Sequence, residues 1–242
     1  MRWRLVQELA TGDRRVRELV AALGEPQSLV SYHLRQLRDA GLVASRRSSH
    51  DARDTYYRLD LASCSAALSA AAAAVHPGLG SDGTALTPGS LTPGPQADGE
   101  HKPSRRVLFV CTGNSGRSPI AQALLARRAG PRVQAASAGT HPKPLHPDAV
   151  AVMRDRYRLD ISGHRPVDVA SVAAQPFDCV ISLCDKAREA CPDFAGAPGR
   201  VHWSLPDPAS GEGGLAGYAA FERTASELDA RIQFLLPVLA VP

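Results

Sequence analysis

Apolar residues at Leu5, Val6 and Leu9, and again at Val16, Leu19, Val20 and Leu23, recur every three or four positions, which predicts two short amphipathic helices, the second closed by Gly24. After Glu25-Pro26 a third helix is expected, capped by Ser28, with Leu29, Val30, His33, Leu34 and Leu37 as its buried stripe and Gly41 as its stop. The period then changes. Leu42-Val43, the Arg46-Arg47 pair, a polar tip from Ser48 to Asp54 and the strand-like Thr55-Tyr56-Tyr57-Arg58-Leu59 read as a β-hairpin. Helix, turn, helix and hairpin in that order make a winged helix-turn-helix, an α+β unit. Farther along, Arg106-Val107-Leu108-Phe109-Val110 is a continuous apolar run of the kind a buried parallel strand carries. Ile120, Leu124 and Leu125 stripe the helix after it, with Pro119 at its first position and Gly130 at its end.

Between these two patterned regions the composition shifts. From Val75 to Pro103 the chain is rich in Pro, Gly, Ser and Thr, and such a stretch cannot bury enough apolar surface to offset the entropy of ordering it. The expected organisation is a winged helix over 1–74, a flexible linker over 75–105 and a second domain over 106–242, and a length of 242 residues suits two compact units. Hydrophobic residues make up 44% of the chain without the ~18-residue apolar run that a membrane span needs. A charged start, Met1-Arg2-Trp3-Arg4, argues against a secretion signal, so a soluble cytoplasmic protein is expected. The five cysteines are then read as thiols, since the cytosol keeps structural disulfides reduced. Formal charge is +4, and residues 1–62 hold 11 Arg against 8 acidic residues. A basic excess of that size fits a nucleic-acid partner and a solvated surface equally well.

The run from Ala21 through Leu29-Val30-Ser31-Tyr32-His33-Leu34-Arg35 to Val43, followed by Tyr56-Tyr57-Arg58-Leu59, resembles the ArsR-type winged-helix repressors over roughly residues 3–65. The resemblance implies operator DNA as a partner and a homodimer formed through this domain. It places Gln27, Ser28, Ser31, Tyr32 and Arg35 toward the major groove, and Arg46, Arg47 and Arg53 of the wing on phosphates. A small helical interaction module is the alternative. The Cys-Val-Cys arsenic pair of such repressors is absent where Arg17 to Leu23 stands, and Cys64 is the one thiol in this half. Arsenite prefers three thiolates, so the resemblance leaves the inducer open.

The apolar strand of the second domain runs into Cys111-Thr112-Gly113-Asn114-Ser115-Gly116-Arg117-Ser118-Pro119, a Cys-x5-Arg loop between strand and helix. A loop so placed turns successive backbone N–H groups toward a tetrahedral oxyanion, Arg117 adds a bidentate fork, and the same positive field favours a Cys111 thiolate. With Ser137-Ala138-Gly139-Thr140, His146-Pro147, Asp160-Ile161-Ser162-Gly163-His164, the strand Phe177 to Leu183, and His202-Trp203 leading to Asp207-Pro208, residues 106–236 resemble the low-molecular-weight tyrosine phosphatases and the arsenate reductases built on their fold. That resemblance implies a flavodoxin-like α/β domain with a four-stranded parallel sheet. It makes residues 112–118 the oxyanion cradle, Cys111 the nucleophile and Asp207 the general acid, with Asn114 and Ser118 steadying the thiolate and its loop.

Hydrolysing a phosphate ester needs one thiolate, whereas reducing arsenate draws two electrons from further thiols. Cys184 and Cys191 in Leu183-Cys184-Asp185-Lys186-Ala187-Arg188-Glu189-Ala190-Cys191-Pro192 match the paired redox cysteines of thioredoxin-coupled reductases, and Asp207-Pro208 is followed by Ala209-Ser210-Gly211 and not by the tyrosines of the phosphatases. The implied substrate is arsenate and the implied reductant is thioredoxin, a related redoxin or a low-molecular-weight thiol. No segment suggests a flavin or nicotinamide site, so no bound cofactor is expected. No metal is expected either, because His141 and His146 sit among prolines without a thiolate or carboxylate cluster. Gln122 stands where some of these reductases use a glutamate to help hold an alkali cation, and Cys179 reads as core. Two other readings stay open: a tyrosine phosphatase fused to a DNA-binding domain, and a regulator that senses an oxyanion without turnover.

Overall fold

The computed structural model describes residues 1–76, 105–192, 194, 199–211 and 216–240. In the first part, α1 (Arg2–Ala10), α2 (Val16–Leu23) and α3 (Gln27–Asp39) bury Leu5, Leu9, Leu19, Leu23, Val30, Leu34 and Leu37 against one another. Gly24 and Gly41 take φ of +67° and +72°, the left-handed conformation that lets the chain reverse after a helix. The wing is β2 (Val43–Arg47) paired antiparallel with β3 (Thr55–Leu59). Two expectations are corrected here. Ser28 is not a cap, because α3 starts one residue earlier behind Pro26 without a side-chain cap, and Leu29 is 37% exposed and so lies outside the buried stripe.

Two elements of this unit lack a periodic signature in the sequence. The two-residue β1 (Arg14–Arg15) adds a third strand beside β3, and α4 (Leu61–Val75), capped by Asp60, follows the wing. The linker expected over 75–105 lies outside the described residues, apart from Val75 in α4, His76, and Arg105, which opens the next strand.

The second unit is built on β4 (Arg105–Cys111), β5 (Val133–Gly139), β6 (Cys179–Ser182) and β7 (Gly199–His202), all parallel in the order β5-β4-β6-β7. α5 (Arg117–Ala129) lies on β4 and β5, and α9 (Gly217–Ala240) packs on α5 and on α6 (Pro147–Tyr157). α7 (Val169–Val172) packs on β5, and the six-residue α8 (Asp185–Ala190) on β4 and β6. Pro119 falls at the third position of α5, since the helix already begins with Arg117. Among the described residues no helix is long and apolar enough to cross a membrane.

This strand order positions the site. After β4 the chain crosses to one neighbour, β5, and later returns to the other, β6, so the carboxyl ends of β4 and β6 flank a topological switch point. Val110 is registered with Ser182, which carries the residues just beyond them, Thr112 and Cys184, side by side.

Candidate active site

The loop after β4 is held by a buried polar network centred on Asn114. Asn114 has a φ of +47°, a costly conformation for a non-glycine residue that persists only where its surroundings enforce it. Its Nδ2 donates to Ser118 Oγ and Ser137 Oγ, both at 2.9 Å, while its Oδ1 accepts from the Val167 backbone at 2.8 Å and lies 3.2 Å from His164 Nε2. Ser137 in turn donates to Gln122 Oε1 at 2.7 Å. Gln122 thus braces the network from α5. Gly139 at the end of β5 is dictated by close approach, because a Cβ there would stand 2.8 Å from Asn114 N and from Thr112 O.

Within this frame Cys111 is buried, and its Sγ receives the Asn114 N–H at 3.2 Å and lies 3.0 Å from Ser118 Oγ. The Asn114 N–H is thus directed at the sulfur, and the Ser118 hydroxyl stands within hydrogen-bond reach of it. Arg117, 6% exposed at the first position of α5, donates to Leu205 O at 3.2 Å and reaches Asp207 Oδ2 at 3.4 Å. Asp207 sits half-exposed in a turn formed with Ala209 and Ser210. Cys111, Arg117, Asp207, Lys143 and Phe221 all line one cavity of about 310 Å³. Lys143 and Phe221 had no motif to point to them. Phe221 stacks on His146, which caps α6 through Nδ1 and so has a structural role.

Cys184 is buried at the N-cap of α8, its Sγ 3.3 Å from Thr112 Oγ1, next door to Cys111. Cys191 follows the last turn of α8 and is partly exposed. No disulfide joins any of the five cysteines. Cys179 lies in the core, where burial pushes its thiol up to about 11. Among the described residues no cluster of His, Cys, Asp or Glu could hold a metal ion.

His164 links the loop to pH. Burial lowers its pKa from the ordinary 6.5, opposed by its contact with Asn114. A histidine depressed in the folded state contributes stability that is present above 6.5 and lost as pH falls through its folded value, because the unfolded chain binds the proton more readily. The melting temperature is therefore expected to fall on acidification below about pH 6.5, and to fall less in His164→Gln. Melting curves of both proteins between pH 7.5 and 5 check this, and parallel curves would contradict it.

The expected DNA face divides. Gln27, Ser28, Tyr32 and Arg35 are exposed on α3 and Ser31 is partly exposed, which leaves that helix face open to a groove. Arg47 and Arg53 are also exposed on the wing. Arg46 is not. Its Nη2 lies 2.7 Å from Asp185 Oδ2 and its Nε donates to Ser204 O at 3.2 Å, so it is committed to the second domain and not to phosphate.

That contact belongs to a continuous interdomain interface. The Ser49 N–H donates to Asp185 Oδ2 at 2.8 Å. Asp13 is buried and accepts from Ser204 N at 2.7 Å and from Arg231 Nη1 at 3.0 Å, while Tyr56 packs its ring 4.7 Å from that of His202. Arg188 pairs with Glu18, and Arg15 reaches Glu189 at 3.1 Å. Burial alone would raise the Asp185 carboxyl. His202, Ser204, the Arg46 guanidinium and the Ser49 N–H together outweigh burial and hold it well below the usual carboxylate range.

A Cys-x5-Arg loop at the head of a parallel sheet, with an aspartate across the cavity, defines an oxyanion-handling domain of the phosphatase type. The chain belongs to the low molecular weight phosphotyrosine protein phosphatase family, whose pattern matches residues 106–240. Residues 1–45 match the bacterial regulatory proteins of the arsR family. An arsenate reductase of Halalkalibacterium halodurans is 34% identical over 128 residues, 52% of this chain and 91% of that protein. One from Bacillus licheniformis is 34% identical over 130 residues, 53% of this chain and 93% of that protein. In structure the second unit is similar to an arsenate reductase in its oxidised state, with a TM-score of 0.50 and 25% identity over 56% of this chain and 99% of the other.

Proposed function

We propose that this chain is an arsenate reductase working by a cysteine relay, fused to an ArsR-type DNA-binding domain, with a role in arsenic detoxification. The observation that carries this reading is Cys184 Sγ within 3.3 Å of Thr112 Oγ1, one residue from Cys111, with Cys191 at the far end of the short α8. The Cys111 thiolate attacks the arsenic of an arsenate held by the 112–118 backbone and Arg117, and Asp207 protonates the departing oxygen, which leaves as water. Cys184 then attacks the Cys111 sulfur. A Cys111–Cys184 disulfide forms, the arsenic keeps the bonding pair, and arsenite leaves. Cys191 displaces Cys111 from Cys184, which restores the nucleophile and leaves a Cys184–Cys191 disulfide. Thioredoxin, a related redoxin or a low-molecular-weight thiol reduces it. Overall, arsenic acid and two thiols give arsenous acid, one disulfide and water. A thioredoxin-coupled assay on the purified chain, scored for arsenite against aryl phosphate hydrolysis, tests the reading. Hydrolysis without arsenite identifies a phosphatase.

For the first domain the reading is operator binding through Gln27, Ser28, Ser31, Tyr32 and Arg35, with phosphate contacts from Arg47 and Arg53. A homodimer through this domain is supported by α4, which buries none of its residues and leaves Leu68 67% and Val75 80% exposed. Sedimentation of the full chain tests the dimer, and a monomer at all concentrations would contradict it. Replacing Arg47 by Ala is expected to weaken promoter binding about equally for all sequences and to reduce the salt slope by roughly 0.9. Titrations at several salt concentrations check this. An unchanged slope would remove Arg47 from the phosphate contacts.

A further inference from the structure

All three charged residues through which α8 touches the winged helix lie between the two redox cysteines. Asp185 takes Arg46 and both the N–H and the hydroxyl of Ser49, Arg188 takes Glu18 and lies over the Tyr56 ring at 5.3 Å, and Glu189 takes Arg15. With α8 helical from Asp185 to Ala190, its flanking cysteines have Cα atoms about 10 Å apart at 1.5 Å per residue. A disulfide requires roughly 4.4 to 6.8 Å, so the bond cannot form without unwinding that segment. Loss of the helix displaces Asp185, Arg188 and Glu189 together, and with them every contact that holds the wing to α8.

We propose that the inner face of the wing is a docking surface for the reductase's own α8, and that the thiol state of Cys184 and Cys191 decides whether the wing is docked there or available to DNA. The inference rests on the relay reading of those two cysteines. In the reduced protein Arg46 and Ser49 are held by Asp185, while α3 and the wing residues Arg47 and Arg53 stay exposed. Oxidation by arsenate joins Cys184 to Cys191, the two electrons going to arsenic and the displaced oxygen leaving as water. Asp185 then withdraws, which takes the charged partner from Arg46 and leaves Ser204 as its remaining contact, one it can exchange for phosphate. Asp13, bonded to Ser204 and Arg231, the Arg58–Glu227 pair and the Tyr56–His202 ring contact lie outside α8 and keep the two units joined while the part of the wing around Arg46 and Ser49 opens. Arsenate turnover in one domain is thereby reported to the other through a contact both already make.

The full-length chain is compared in two states, reduced and after stoichiometric arsenate, with cysteine connectivity read by peptide mass mapping. Hydrogen exchange is followed across 43–59 and 180–192, together with affinity for a duplex spanning the region upstream of the chain's own reading frame. The expected result on oxidation is loss of protection in both segments and tighter DNA binding by about fivefold or more, the lower end of ordinary coupling between sites. Asp185→Asn in the reduced protein should open the wing segment without oxidation, and a Cys184→Ser, Cys191→Ser protein should not respond to arsenate. A confirmed Cys184–Cys191 disulfide with unchanged wing exchange and DNA affinity overturns the coupling and leaves the relay standing. If arsenate leaves both cysteines as thiols, relay and coupling both fall, and the mass map tells this outcome from the first.

Discussion

Replacing Cys111 by Ser is expected to abolish arsenite formation and any phosphate ester hydrolysis together, a loss on the order of 10⁴-fold or more, the scale on which removing an enzyme's nucleophile acts. Polar groups surround the sulfur: the Asn114 N–H points at Sγ, the Ser118 hydroxyl lies within 3.0 Å of it, and Arg117 stands at the start of the next helix. A serine hydroxyl in that place stays protonated at neutral pH and cannot take part in sulfur–sulfur exchange. The substitution removes one sulfur without a change of volume that the buried loop would feel, so folding should survive, and circular dichroism beside the two assays separates chemistry from collapse. Retention of either activity above the background would place the nucleophile elsewhere.

Replacing Cys184 by Ser is expected to split the two activities. Arsenate turnover with thioredoxin should fall by roughly 10³-fold, since no internal thiol remains to attack the Cys111 sulfur, while slow aryl phosphate hydrolysis should hold within about threefold. The structural reason lies in position. Cys184 is the N-cap of α8 and makes no side-chain cap bond, and serine is among the residues that suit an N-cap best, so the helix and the Cys111 loop should keep their shape. Parallel kinetics on arsenate and on an aryl phosphate give the answer. Equal loss of both would make Cys184 a structural residue of the loop and remove it from the relay.

Where periodicity is local, the fold was legible in the chain: the stripes of α1 to α3, the hairpin and the apolar run of β4 each report their own burial. The Cys111–Arg117 loop was legible because a backbone cradle needs its residues consecutive. Cys184 beside that loop follows from the parallel register of Val110 with Ser182, which no local pattern displays. Arg46 shows the limit most clearly, since a basic residue on a wing looks the same whether it meets a phosphate or a carboxylate 139 positions away. The same holds for Asp13, an unremarked loop residue that proves to be buried against Arg231, 218 positions later. Polar residues that meet only in the folded chain, such as Gln122 and Ser137, leave no spacing to read, although Asn114 and Ser118 could be placed because they lie within the motif itself.

The relay is tested most directly by a single turnover of the fully reduced chain with excess arsenate and no external thiol. The account predicts about one arsenite per chain, because each two-electron reduction consumes one pair of thiols, with the final disulfide mapped to Cys184 and Cys191 and Cys111 recovered as a thiol. Arsenite formed while all the cysteines stay reduced, or a terminal disulfide that retains Cys111 and excludes Cys191, would contradict it.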